Sequence, residues 1–133
     1  MTAPTAESRR ETGRVEAFSD GVMAVIITIM AFELQAPIGH SFHALDRRLS
    51  HLLVYVLSFV YIGIYWNNHH HLFRATERVD GAVMWANLHL LFWLSLVPVL
   101  TEWVATDYRY HLPAATYGVV LLFAGVAYSI LTR

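Results

Sequence analysis

The chain of 133 residues is 56% hydrophobic and only 14% charged, and its formal net charge is −1. This composition, together with four long apolar runs, predicts an all-α membrane protein rather than a soluble domain. The near-zero charge excludes the basic surface that nucleic acid binding requires, so we expect no nucleic-acid partner. Cysteine is absent, which excludes a disulfide framework and a thiolate metal site.

A membrane-spanning helix over about residues 13–36 is the first predicted element. Residues 1–12 have too little apolar surface to order themselves and are predicted to be a disordered cytoplasmic N-terminus. From Gly21 to Phe32 the sequence carries no charge. With its flanking turns this helix reaches the ~20 residues that cross a ~30 Å hydrocarbon layer. Pro37 and Gly39 then end it.

This first helix is predicted to have two distinct faces. Branched and aromatic residues recur at spacings of four and three, which places in one stripe Phe18, Val22, Val25, Ile29 and Phe32. A ridge of small residues on a neighbouring face consists of Gly21, Ala24, Thr28 and Ala31. In lipid, where apolar side chains gain little by meeting one another, such a ridge lets a second helix approach closely.

Three further helices are predicted, and residues 13–133 then form one transmembrane helical domain. They are expected over about residues 49–73, 82–104 and 113–131. Pro98 removes one backbone hydrogen bond within the third helix and predicts a kink there. The fourth helix is apolar nearly throughout, so we expect it to be the most lipid-exposed.

The distribution of arginine predicts the orientation, because short cytoplasmic loops carry an excess of positive charge. The side that holds both termini has six arginines, namely Arg9, Arg10, Arg14, Arg74, Arg78 and Arg133. The other side has three, namely Arg47, Arg48 and Arg109. The chain is therefore expected to cross the membrane with its N-terminus in the cytoplasm.

Asp20 is the charged residue whose placement most needs explanation. A carboxylate within a spanning helix costs about 2.5 to 3.5 kcal/mol on insertion scales unless it is paired or close to the interface. Arg14 lies six residues away, whereas spacings of three or four make neighbours on a helix. We therefore predict polar partners on helices two and three, with the candidates Asn68, His70, His71 and Asn87. The alternative is an interfacial Asp20 that reaches the headgroup region.

The run His69-His70-His71 invites a metal hypothesis, because imidazole is a common ligand for zinc and copper. Consecutive helical residues point about 100° apart and cannot all reach one ion, so a site would need help from His89 or Glu77. Histidines that form hydrogen bonds at a helix end are the favoured interpretation. A haem held by His71 and His89 is a weaker one.

The first helix opens on Arg14-x-x-x-Phe18-Ser19-Asp20 and continues as Gly-Val-x-Ala-Val-x-x-Thr. At the start of a hydrophobic span this pattern resembles the first-helix signature of the endosomal and lysosomal potassium channel family, which short prokaryotic members carry once per chain. The resemblance continues through residues 65–73, Asp80 and residues 85–98, so it covers roughly residues 14–104.

The resemblance implies a homotetrameric channel in the cell membrane whose central pore is lined by helix one. Val25, Ile29 and Phe32 would form its narrowest apolar rings, with the Thr28 hydroxyl near that face. The signature network would comprise Arg14, Phe18, Ser19, Asp20, Asn68, His70, His71 and Asn87. Family members have six helices where this sequence has four. The two additional helices would lie at the periphery if helix one is central.

These expectations combine into a potassium-permeable cation channel that conducts potassium and other monovalent cations passively through a homo-oligomer in the lipid bilayer. We expect no enzymatic activity and no cofactor. Two alternatives remain open at this stage. One is a membrane redox module that binds a metal or haem through His70, His71 and His89, and the other is a helical bundle subunit without transport of its own.

Overall fold

The computed structural model describes residues 5–133, and the described chain is a bundle of helices. Four helical segments are long and apolar enough to cross a membrane, which confirms the predicted class. The third of these segments is divided into two helices. The helices in chain order are α1 (Ala6–Glu33), α2 (Phe42–Ala75), α3 (Gly81–Ser95), α4 (Val97–Thr106) and α5 (His111–Leu131).

The first two helices begin earlier than predicted, and N-terminal caps account for both differences. α1 begins at Ala6, so residues 6–12 are helical rather than disordered, while residues 1–4 lie outside the described part of the chain. The Thr5 hydroxyl accepts from the Ser8 backbone N–H at 3.2 Å. Likewise, α2 begins at Phe42 because Ser41 Oγ accepts from the Ala44 N–H at 3.3 Å. Such caps satisfy N–H groups that a helix terminus leaves unpaired.

The third span is interrupted at Leu96, as Pro98 predicts. α3 ends at Ser95, and α4 begins at Val97 with the proline in its first turn. The proline ring has no N–H to donate to the previous turn, and a first helical turn tolerates this loss. The third span therefore consists of two helices in sequence, joined at Leu96.

The core lies between the inward faces of all five helices. α1 contacts α2, α3 and α4, while α5 packs mainly against α3 and α4. The fully or nearly fully buried apolar side chains include Met23, Ile26, Met30, Ile62, Leu90, Leu94, Val97, Val120, Ala124 and Ala127. The two alanines on α5 let this helix approach its neighbours closely.

The span with the smallest buried share in the described chain is α2 rather than α5, the span predicted to be the most lipid-exposed. In the most apolar window of α2 only 11% of the residues are buried, against 22% for α5. The difference arises because α2 buries one narrow edge that includes Ser58 and Ile62, whereas its leucines and valines on the other faces point outward.

Candidate functional site

α1 presents its apolar stripe to the outside of the described chain. Val25 is 56% exposed, Ile29 45% and Phe32 82%, and Phe18 is also exposed. The adjoining face is buried in the core, where Ile26, about 100° around the helix from Val25, is 4% exposed. The two faces of one apolar helix therefore have different surroundings, and only the inward one is packed by helices of the same chain.

The ridge of small residues on α1 is exposed as well. Gly21, Ala24, Thr28 and Ala31 all lie on the outer surface, and a Cβ built at Gly21 would meet no atom within 4 Å. The Thr28 hydroxyl donates to the carbonyl of Ala24 at 2.7 Å, within its own helix. No helix among residues 5–133 covers this ridge at Gly21. A helix of a second molecule could therefore approach α1 closely there.

A polar network joins α1, α2 and α3 on the buried side of the bundle. Asn87 Nδ2 donates to Ser19 Oγ at 2.8 Å, and Asn87 Oδ1 lies 2.8 Å from His69 Nε2. Ser19 in turn donates its proton to the carbonyl of Val15 at 2.8 Å. Ser19 and His69 are 0% exposed and Asn87 is 1% exposed.

The hydrogen bonds of this network fix its donors and acceptors. A serine hydroxyl has one proton, and because Ser19 gives it to a carbonyl, its oxygen must accept from the Asn87 amide. The amide oxygen then faces His69, so His69 Nε2 carries the proton and donates. Asn87 thus links α1 to α2 through both ends of one side chain.

Asp20 lies beside this network without joining it through a hydrogen bond. The residue is partly buried, and its Oδ1 atom has no hydrogen-bond partner within residues 5–133. The same is true of His69 Nδ1. Of the four partners expected for Asp20, only Asn87 lies in the buried network. Asn68 and His71 are exposed, and His70 pairs with Glu16 instead.

Arg14 and Phe18, the remaining residues of the signature, lie on the exposed side of α1. Both line an open cavity of about 520 Å³ between α1 and the start of α3, together with Met84, Asn87 and Leu88 among others. Asn87 therefore borders both the cavity and the buried network. Within the described residues Arg14 forms no ion pair with a carboxylate.

The three consecutive histidines occupy three different environments, as the 100° step of a helix requires. His69 is buried and its ring is stacked on Phe73 with centroids 4.4 Å apart. His70 Nδ1 lies 2.7 Å from Glu16 Oε1, which links α2 to α1. His71 is exposed. In the described part of the chain, no group of three or more metal-binding side chains is placed to hold one ion.

His69 is the member of the network that sequence reasoning missed. The prediction placed His70 and His71 in the network, whereas His69 was considered only within the run of three histidines, as a metal ligand or as a hydrogen-bonding residue at a helix end. A periodic signal was present, since Ser58, Ile62, His69 and Phe73 follow one another at spacings of four, seven and four and are all buried. Extending the inward edge of α2 by two turns beyond Ile62 leads to His69.

The fold and this network define a multi-pass α-helical membrane protein whose first helix is fastened to its neighbours by buried polar side chains. Residues 14–98 match the model of the family described as endosomal/lysosomal potassium channel TMEM175. The chain belongs to this family.

Several relatives are called potassium channels. A potassium channel of Chryseobacterium sp. strain P1-3 is 56% identical over 119 residues, which cover 90% of this chain and 62% of the relative. A potassium channel of Streptomyces collinus is 40% identical over 129 residues, which cover 91% of this chain and 63% of the relative. The chain thus spans somewhat less than two thirds of the length of these relatives.

A solved structure is also similar. The crystal structure of a lysosomal potassium-selective channel TMEM175 homolog from Chamaesiphon minutus superposes with a TM-score of 0.81 at 31% identity. The superposition covers 92% of this chain and 70% of that chain. At this identity and score the likeness extends to most of the described bundle.

Proposed function

We propose that the chain forms a potassium-permeable cation channel in which α1 lines the pore of a homo-oligomer. The observation that carries this proposal is the outward stripe on α1, with Ile29 45% exposed while Ile26, three residues earlier, is 4% exposed. One helix per chain cannot enclose a pore, so several copies must contribute α1. A tetramer is the assembly proposed from the family resemblance.

The rings that this arrangement forms are apolar. Val25, Ile29 and Phe32 follow at steps of about 6 and 4.5 Å along the helix axis at 1.5 Å per residue. Such rings coordinate no ion, so they act through their diameter and through the ease with which water leaves them. The Thr28 hydroxyl offers an oxygen beside them, although it is engaged with its own helix.

Contact with lipid alone would also expose apolar side chains, but it does not explain the adjoining small ridge. Small residues gain nothing from lipid tails, whereas they allow two helices to approach closely. The ridge beside the stripe therefore favours an α1 that faces other copies of the chain. In this arrangement the buried network of Ser19, Asn87 and His69 attaches α1 to α2 and α3 on the side of α1 that faces the bundle core.

The channel is proposed to lie in the cell membrane with the N-terminus in the cytoplasm, as the arginine distribution predicts. The redox alternative receives no support from the geometry of its ligands. His71 and His89 are exposed, and His89 Nε2 accepts from the Trp93 indole N–H at 2.9 Å. The other alternative, a helical bundle subunit without transport of its own, differs from a channel in that it conducts no cations.

Flux through liposomes that contain only this chain tests the proposal. The purified protein is reconstituted, its oligomeric state in the membrane is measured by cross-linking, and fluxes of potassium, sodium and caesium are compared with protein-free liposomes. The proposal expects potassium flux that depends on the amount of oligomer. Absence of cation flux from a reconstituted, folded oligomer would favour the subunit alternative.

A further inference from the structure

A second buried polar cluster lies in the half of the bundle away from the Ser19 network. It consists of three hydroxyls, contributed by Ser58 on α2, Thr101 on α4 and Tyr117 on α5. Ser58 Oγ lies 2.6 Å from Thr101 Oγ1 and 2.7 Å from the Tyr117 hydroxyl. The three residues are 0%, 5% and 6% exposed, so the cluster is closed off within the bundle.

The hydrogen bonds of this cluster all donate in one direction, from Tyr117 towards the carbonyl of Val97. Thr101 Oγ1 lies 2.7 Å from the carbonyl of Val97, which can only accept, so Thr101 donates there. Each hydroxyl has a single proton, and Ser58 must therefore donate to Thr101 while Tyr117 donates to Ser58. The chain from Tyr117 ends on the first residue of α4, directly after the break before Pro98.

The cluster contacts α1 behind the proposed constriction. Thr101 Oγ1 lies 3.8 Å from the sulfur of Met30, which is 2% exposed. Met30 follows Ile29 in sequence and lies about 1.5 Å further along the helix axis. The two side chains lie about 100° apart around α1, Met30 on the buried face and Ile29 on the exposed one. A change in the support of Met30 inside the bundle therefore also changes the position of Ile29 on the outside.

We propose that Ser58, Thr101 and Tyr117 are positioning residues that set the width of the constriction on α1. This inference rests on the proposed channel function. α4 follows α3 after the single residue Leu96, and the hydroxyl chain ties it to α2 and α5. Met30 on α1 contacts Thr101 on α4. The position of α4 therefore determines the distance between α1 and the axis of the proposed oligomer.

The chain offers a matched pair of variants for the test. Tyr117→Phe removes a hydroxyl that donates from α5 to Ser58 on α2. Tyr61→Phe removes a hydroxyl that donates from α2 to the carbonyl of Leu121 on α5 at 2.9 Å. Both therefore delete one hydrogen bond between the same two helices, and Tyr61→Phe also removes the 3.2 Å contact with the Tyr65 hydroxyl inside α2. Only Tyr117 belongs to the cluster that reaches Met30.

The measurements are the ratio of potassium to sodium flux in liposomes and the melting temperature in detergent. We expect both tyrosine variants to lower the melting temperature, because each loses a hydrogen bond between α2 and α5. Tyr117→Phe and Ser58→Ala should change the flux ratio by about twofold or more, the scale of losing one buried hydrogen bond, while Tyr61→Phe should leave it unchanged. Ser58→Ala should have the larger effect because it breaks the chain at its centre.

An unchanged flux ratio in Tyr117→Phe, or an equal change in Tyr61→Phe, would overturn the inference while the channel function stands. If Ser58→Ala fails to assemble, the Tyr117→Phe result decides alone, since that variant loses only one oxygen atom. Absence of flux from the unmodified chain would overturn the proposed function, and this inference with it.

Discussion

Replacing Asn87 tests whether the buried network holds α1 in place. Asn87→Ala removes two hydrogen bonds and leaves the Ser19 oxygen and the His69 Nε2–H without their partner in a site that is 0% exposed. Side-chain hydrogen bonds between membrane helices contribute about 0.6 kcal/mol on average and about 1.7 kcal/mol at most. Two such bonds give about 1.2 to 3.4 kcal/mol, and complete burial of both partners places the expected loss at about 2 to 3 kcal/mol.

The assay is reversible unfolding in mixed micelles, with Asn68→Ala as the control. Asn68 is the same residue type, is exposed and has no side-chain hydrogen bond within the described residues, so its loss should be under about 0.5 kcal/mol. The double variant of Ser19→Ala and Asn87→Ala should be less destabilised than the sum of the two single variants, because they share one bond. Equal stability of Asn87→Ala and Asn68→Ala would refute the reasoning about the network.

Two further predictions concern groups beside the network. Asp20→Ala should reduce oligomer yield or flux more than Asp20→Asn, which keeps the shape and part of the hydrogen-bonding capacity, and negligible effects of both would assign Asp20 to the interface. Treatment with a chelator should leave the melting temperature and the oligomeric state unchanged, because no binding energy is withdrawn if His69, His70 and His71 serve only as structural groups. A marked drop in melting temperature after chelation would mean that a metal stabilises the fold.

The number and type of the membrane spans could be predicted because long apolar runs leave few alternatives in a bilayer. The break near Pro98 was predictable for a local reason, the missing N–H of proline. The early starts of α1 and α2 were harder to predict. They depend on Thr5 and Ser41 as caps, and the polar sequences that follow them resemble loops in composition.

Features of the candidate site that depend on the period of one helix could be predicted from the sequence. Contacts between side chains of several helices could not. The period of α1 places Ile26 about 100° around the helix from Val25, at the edge of the stripe, without reference to any other helix. The partner of Asn87 depends instead on the rotation of α2 against α3, which brings His69 inward and turns Asn68 and His71 outward. The Ser58, Thr101 and Tyr117 cluster joins three helices, and no spacing within a single helix indicates it.

Comparing polar substitutions on the two faces of α1 tests the central claim most directly. Ile29→Asn keeps the number of heavy atoms in the side chain but is smaller and can hold water in an apolar ring, so liposome flux should rise and discrimination between potassium and sodium should weaken. Ile26→Asn places an amide in the core, where Ile26 is 4% exposed, and should mainly reduce the amount of folded oligomer. Both are measured at matched protein incorporation. If Ile29→Asn leaves flux and selectivity unchanged, or if Ile26→Asn reproduces its effect, α1 does not line the pore.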